Sequence, residues 1–449
     1  MNGVSRAPWV GFLSAAAVIG GFLAMTGRLD PVFEEDSRTY LTFDFHSPRA
    51  MLGQIRTVGY PLFLAMAGDT DRVPWLQFGI HVMAVAVFLG GLRAAGYSNR
   101  TAAWCSVTLL LGRGAVDLAR LVTADSLAVS LAIASTGCLV AVTAGPSRRS
   151  WWIGLVVCTF LAYQVRPAYL FLIVTWPVVA WVLDVFLLRR GAPRRARWSR
   201  VGRIALATIG PFFVFCGVRW AVVGHFGLVS FGGHNLIGIA GQFLDRELVD
   251  TLPDDVRPLA RAMLRSRVEL GHAPAGDFAG MEAMYNPTAW QVAAPSAASV
   301  YGEDVVAANR GLSRLALAVL RRRPAAYARW LVGNANHARR QLLTLIVFDK
   351  GTGALLIVFL AGMAVSLVAN RSVRRTDAGI PATRAPRDVG RLETHLLFWT
   401  ALLFAAAKTS LVLLVEPAND RYMTGAAVLI PAAIAAAAAG RTRTDEGRT

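Results

Sequence analysis

The acidic run Glu34-Glu35-Asp36 is the first stretch of this 449-residue chain with evident chemical capacity. An ionised carboxylate in a loop can take a proton from a hydroxyl that attacks a glycosyl donor. The same residues also make an ordinary solvated loop, so partners decide the matter. Asp36 and Tyr40 are four apart, on one face if the segment is helical. Arg56 then precedes Gly59-Tyr60-Pro61-Leu62-Phe63-Leu64. Arginine offers a fork of donors that matches phosphate or carboxylate. Farther along stand Asp125 in Thr-Ala-Asp-Ser-Leu, Arg166 before Pro167, and Glu416, Arg421 and Tyr422 in Glu-Pro-Ala-Asn-Asp-Arg-Tyr.

Lys408 lies inside an apolar run, where a charge is costly and faces a cavity or a partner. Asp125 and Glu416 are its candidate partners, and a lipid phosphate is its candidate ligand. His234 and Asn235 occupy Phe-Gly-Gly-His-Asn, read as a glycine-flanked turn able to touch a sugar hydroxyl. Asp117 and Arg120, three apart, read as a local ion pair. The seven histidines are scattered and the four cysteines all lie in apolar runs, so no metal site or disulfide framework is expected. No phosphate-binding loop, dinucleotide fingerprint or nucleophile elbow occurs. A cytoplasmic nucleotide-sugar enzyme is thereby disfavoured.

The elements that must position these residues are membrane helices. Apolar residues make up 55% of the chain and charged residues only 16%, against about 45–50% and about 25% in soluble domains. Mean hydropathy is +0.47. These values argue against a soluble enzyme, a disordered chain and a nucleic-acid-binding domain. The net charge of +18 comes almost wholly from arginine; Lys350 and Lys408 are the only lysines. An anionic partner is one reading of that charge, and arginines that orient membrane segments are the other.

Ten apolar runs are candidate spans: 8–27, 74–95, 102–113, 122–144, 151–164, 167–188, 204–223, 352–369, 394–415 and 422–440. Arginines crowd alternate loops, which places both termini in the cytoplasm. The opposite face then carries the loop 28–61, Asp117 and Asp125, Arg166, the long segment 224–350, and Glu416 to Arg421. The expected organisation is an N-terminal membrane half (1–223), an outer region of amphipathic helices lying on the membrane (224–350), and C-terminal spans with a cytoplasmic tail (351–449). Leu312, Leu315, Val319 and Leu320 form one helical face there, and Pro324 must break or kink that helix. The fold class is an all-α polytopic membrane protein.

The patterns D-S-x-x-Y and R-x-x-G-Y-P-L-F-L in the first outer loop resemble those of bacterial GT-C glycosyltransferases. These multi-span enzymes use polyprenyl-phosphate sugars and include protein mannosyltransferases and the aminoarabinose transferase of lipid A. Thr-Ala-Asp-Ser-Leu at 123–127, Arg166-Pro167 and the stretch 416–422 are similar to further family features by position. The resemblance spans the chain in layout, but only the first loop is specific. It implies an inverting transfer in which Asp36 is the base. The family's acidic pair often reads D-E, whereas this chain reads E-E-D-S, so Glu35 stands as the alternative base. With that reading, Arg56, Arg166 and Arg421 on the outer face, and Lys408 from its apolar run, are the candidates to hold the donor phosphate, and Tyr40, Tyr60, Asp125, Glu416 and Tyr422, with His234 and Asn235 from their turn, are the candidates to contact substrate.

The implied partners are a polyprenyl-phosphate-linked sugar donor, a lipid, polysaccharide or protein acceptor, and the bilayer, with no nucleic acid. No cofactor is called for, and a divalent metal is left open. The competing readings are a transporter or flippase of a lipid-linked or charged solute, and a non-catalytic partner in envelope assembly.

Overall fold

Long apolar runs without alternating polarity satisfy their backbone groups internally, and they do so as helices. The computed structural model describes residues 7–112, 117–144, 148–185, 194–272, 276–347 and 387–446. Among them the only β pairing is an isolated bridge between Val32 and Leu121. The first part of the chain forms α1 (Ala7–Met25), α2 (Ser37–Leu41), α3 (Pro48–Gly53), α4 (Gly59–Ala67), α5 (Val73–Ala94), α6 (Asn99–Leu111), α7 (Asp125–Ala144), α8 (Arg149–Val165), α9 (Leu172–Leu183) and α10 (Arg194–Val223).

Five helical segments are long and apolar enough to cross a membrane: Thr70–Ala94, Asp125–Ala144, Trp198–Val223, His395–Val415 and Asp420–Ala439. Side chains such as Val18, Leu206, Val214 and Trp220 point outward from apolar helices, as lipid-facing positions do. The chain is an all-α, multi-pass membrane protein. Within the expected spans 8–27 and 167–188 lie the shorter apolar helices Trp9–Met25 and Pro167–Leu183. Residues 102–111 and 151–164 of two further expected spans lie in helices of 13 and 17 residues. The run 352–369 lies outside the described residues.

α7 is the central helix, with α5 and α8 packed along it. Gly91 of α5 meets Gly137 of α7, and a Cβ at either position would run into the other helix's backbone. Small residues let membrane helices approach this closely.

The region after α10 departs from expectation. It contains α11 (Gly232–Ala240), α12 (Arg246–Thr251), α13 (Arg257–Glu269), α14 (Phe278–Ala283), a π-helix (Pro287–Ala293), α15 (Ala294–Tyr301), α16 (Val305–Arg322) and α17 (Pro324–Val347). Separate helices lying on a membrane would leave their apolar faces to lipid. Instead, Leu312, Leu315 and Val319 of α16 are buried with Ile237, Leu259 and Met263 in a core of their own. Pro324 does break the helix: α16 ends at Arg322 and Pro324 opens α17. Residues 232–240 are helical rather than a turn. Gly233 donates to Asn309 Oδ1 at 2.8 Å, and a Cβ there would strike the α16 backbone.

The C-terminal helices are α18 (Arg387–Val415), α19 (Asp420–Ala427) and α20 (Ile430–Glu446). α20 packs on α6 and α18, and α18 also touches α9. The last carbonyls of α18 have no helical partners of their own. Side chains of the preceding region supply them. Tyr285 donates to Val415 O at 3.1 Å, Tyr327 to Leu414 O at 2.9 Å, and Trp330 to Leu413 O at 3.3 Å.

Candidate active site

Asp36 is placed by the clamping of the first loop onto the chain just before α7. Val32 N donates to Arg120 O and Val122 N to Val32 O, both at 2.9 Å. Buried Ser37 donates to Val122 O at 2.9 Å and accepts from Glu34 N at 2.9 Å. Asp36 therefore stands close to Asp125, the first residue of α7. Arg166 arrives from the corner after α8, where its extended backbone suits the residue before a proline. Arg421 lies in the first turn of α19, whose start is capped by Asn419 accepting from Tyr422 N at 3.0 Å.

These residues form one chain of ion pairs. Arg56 Nη2 donates to Asp36 Oδ1 at 2.5 Å, and its Nε donates to Thr39 Oγ1 at 2.9 Å. Arg421 Nη2 donates to Asp36 Oδ2 at 2.8 Å, and its Nε to Asp125 Oδ2 at 2.6 Å. Arg166 Nη1 donates to the same Asp125 oxygen at 2.6 Å, and Thr123 adds a bond at 3.2 Å. Rings line the chain. Arg56 lies over Tyr40 at 4.8 Å, and Arg166 and Arg421 flank Tyr422 at 5.2 and 5.9 Å. Tyr60 is fully buried, with its ring edge-on to Tyr40 at 4.9 Å.

Burial alone would push the Asp36 carboxyl up. The charges of Arg56, Arg421 and Arg166, together with the Arg421 hydrogen bond, outweigh it and hold the group at about 2. Burial keeps the Tyr40 phenol above its ordinary value, so Tyr40 stays protonated.

Lys408 differs from the arginines. It is 2% exposed, and among the described residues it makes no hydrogen bond or ion pair. Asp125 and Glu416 attract it through space without touching it, and its direct contacts are to rings: its Nζ lies 4.4 Å from the Tyr169 centroid and 5.9 Å from that of Phe171. Glu416 is already engaged, accepting from Asn235 Nδ2 at 2.8 Å. Asp125 Oδ2 already accepts from two arginines.

Glu35 is exposed and contacts none of the cluster. Asp117 lies 4.0 Å from Arg28 rather than pairing with Arg120. His234 is buried beside Phe231 and Trp290, with its Nδ1 unpartnered. No group of three His, Cys, Asp or Glu among the described residues is placed to hold a metal ion.

Two positioning residues, Asn334 and Arg219, are not among those the sequence analysis singled out. Asn334, fully buried, donates to Glu416 O at 2.7 Å and accepts from Ala418 N at 2.8 Å. It thus fixes the turn between Glu416 and Arg421. Buried Arg219 donates to Leu52 O at 2.8 Å and to Ser230 Oγ at 2.5 Å, tying the first loop to the segment before α11. The charge of Arg219 inside the apolar run 204–223 was a visible cue. Comparison of the chain with protein-family models, curated proteins and solved structures finds no match.

Proposed function

We propose that the protein is a membrane glycosyltransferase that moves a sugar from a polyprenyl-phosphate donor to an envelope acceptor. The observation that carries this reading is Lys408, a buried lysine that makes no hydrogen bond or ion pair among the described residues, beside carboxylates that already hold arginines. A charge so placed is costly unless an anion joins it. The phosphate of a lipid-linked sugar supplies that anion at membrane depth. Arg421 and Arg166 lie at the same centre to meet the negative charge that grows on the leaving phosphate.

The reaction is a single displacement with inversion. The acceptor hydroxyl oxygen bonds to the anomeric carbon, the bond from that carbon to the phosphate oxygen breaks, and its electron pair leaves with polyprenyl phosphate. The hydroxyl proton passes to Asp36. A carboxylate at about 2 is a weak base at the outset. It suffices because the attacking oxygen becomes strongly acidic as its bond to carbon forms. Glu35, exposed and apart from the arginines, is the poorer choice for this role.

In this proposal the fold is GT-C-like, with about ten spans, both termini in the cytoplasm and the site facing outward at the cytoplasmic membrane. The test is label transfer from a radiolabelled polyprenyl-phosphate sugar in membranes containing the wild-type protein or Lys408→Met. Transfer that needs Lys408 supports the reading. Equal transfer in both removes the phosphate role of Lys408.

A further inference from the structure

Next to the ion-pair chain lies a group of three rings whose single buried polar atom has nothing to bond. Phe231, His234 and Trp290 pack with centroids 5.6 to 6.0 Å apart and planes within 28° of parallel. Phe231 lies under the Arg56 guanidinium at 5.2 Å, so the rings continue directly from the residue that holds Asp36. At the other end Trp290 is 39% exposed. It is carried on the π-helix Pro287–Ala293, a conformation that is rare and concentrated at functional sites.

His234 is 6% exposed and its Nδ1 has no partner. Leaving a buried nitrogen unpaired is costly, and such an atom calls for a ligand. Burial also pushes the His234 imidazole down to about 4, so the ring is neutral at physiological pH.

The geometry points to a platform made of Phe231, His234 and Trp290 that binds the acceptor, and to a carbohydrate as that acceptor, with a sugar face stacked on Trp290 and a hydroxyl paired with His234 Nδ1. Identifying this ligand as the acceptor rests on the transferase reading; its being a carbohydrate does not. Three features favour a sugar. The rings are neutral and flat, matching the C–H face of a pyranose or furanose. The unpaired nitrogen needs a hydroxyl, which an isoprenoid chain lacks. The three stacked rings carry no carboxylate of their own, so the platform itself offers no anion to a cationic peptide. The platform also adjoins the Arg56 side of Asp36, whereas Lys408 of α18 lies against Tyr169 from the turn after α8.

The experiment is a saturation-transfer NMR titration of the full-length protein in detergent. The probes are α-mannotriose, α-arabinotriose and cellotriose, with farnesyl phosphate as the isoprenoid probe. The wild-type protein should bind at least one trisaccharide. Trp290→Ala should weaken that binding about tenfold or more, while Trp290→Phe, which keeps a ring, should hold it within about threefold. His234→Phe keeps the stack and removes the nitrogen. It should weaken the trisaccharide several-fold and melt no lower than the wild type. Farnesyl phosphate affinity should change by less than about twofold in all three, since the rings stack on a sugar. No trisaccharide binding by the wild type, or unchanged binding in Trp290→Ala and His234→Phe, would overturn the proposal. So would a loss confined to farnesyl phosphate, which would make the platform an isoprenoid site. Trp290-dependent trisaccharide binding without any sugar transfer would leave the platform standing and remove the transferase reading.

Discussion

Arg421 reaches Asp36 across 385 residues of sequence, donating through Nη2 at 2.8 Å while its Nε holds Asp125 at 2.6 Å. One guanidinium thereby fixes the spacing of two carboxylates that belong to different membrane-flanking segments. A lysine cannot do this, because a point charge on a flexible stem lacks the fork. Arg421→Lys should therefore lose most transfer activity and melt lower than the wild type. The checks are a transfer assay and a thermal melt on the same detergent preparation.

Lys408→Met should separate stability from function. Methionine fills similar volume and removes a buried polar head that makes no hydrogen bond or ion pair among the described residues. The unfolding midpoint should rise, while affinity for a polyprenyl phosphate falls by about 10–100-fold, the worth of one hydrogen bond to a charged group. Thermal shift with and without the lipid phosphate reads both effects. A lower midpoint with unchanged lipid affinity would mark Lys408 as structural.

Asn334 acts at a distance from the reacting atoms. Asn334→Leu would leave Glu416 O and Ala418 N unbonded, at about 1–3 kcal/mol for each buried group. The turn that carries Arg421 should loosen. A lower melting midpoint and a lower kcat/KM are expected together, and Asn334→Asp, which keeps the acceptor oxygen, should restore part of both.

The pH dependence follows from two groups outside the spans. The Asp36 carboxyl is depressed from 3.8 to about 2. Its ion pairs therefore contribute stability that is complete above pH 3.8 and lost as the pH falls through about 2. His234 is depressed from 6.5 to about 4. Its share is complete above pH 6.5 and is lost as the pH falls through about 4. Melting midpoints across this range should fall in two stages, and His234→Phe should remove the upper one. The kcat/KM profile should show no acid limb from Asp36 above about pH 4.

Local patterns in the sequence carried much of this site. Asp36, Tyr40 and Arg56 lie within one loop, and their spacing alone puts them within reach of one another. Arg166 was legible as a corner residue because Pro167 follows it. The contacts between distant segments were not legible. Asn334 looks like any polar residue in a mixed helix, and its role exists only because α17 packs against the end of α18. The same packing hid the core around Leu312 and Met263. An amphipathic pattern reports that a helix has one apolar face, and it does not say whether lipid or another helix covers that face. Phe231 and Trp290 were missed for a related reason, since aromatic residues near a membrane are ordinary until their rings are seen stacked around an unpaired nitrogen.

The most direct test of the account is the transfer rate of Asp36→Asn measured alongside its donor affinity. Asparagine preserves shape but cannot take the hydroxyl proton. Transfer should fall by about 10²–10⁴-fold, affinity for the polyprenyl-phosphate donor should be nearly unchanged, and Glu35→Gln should transfer sugar as the wild type does. Full activity in Asp36→Asn, with the protein shown to be folded, would contradict the account.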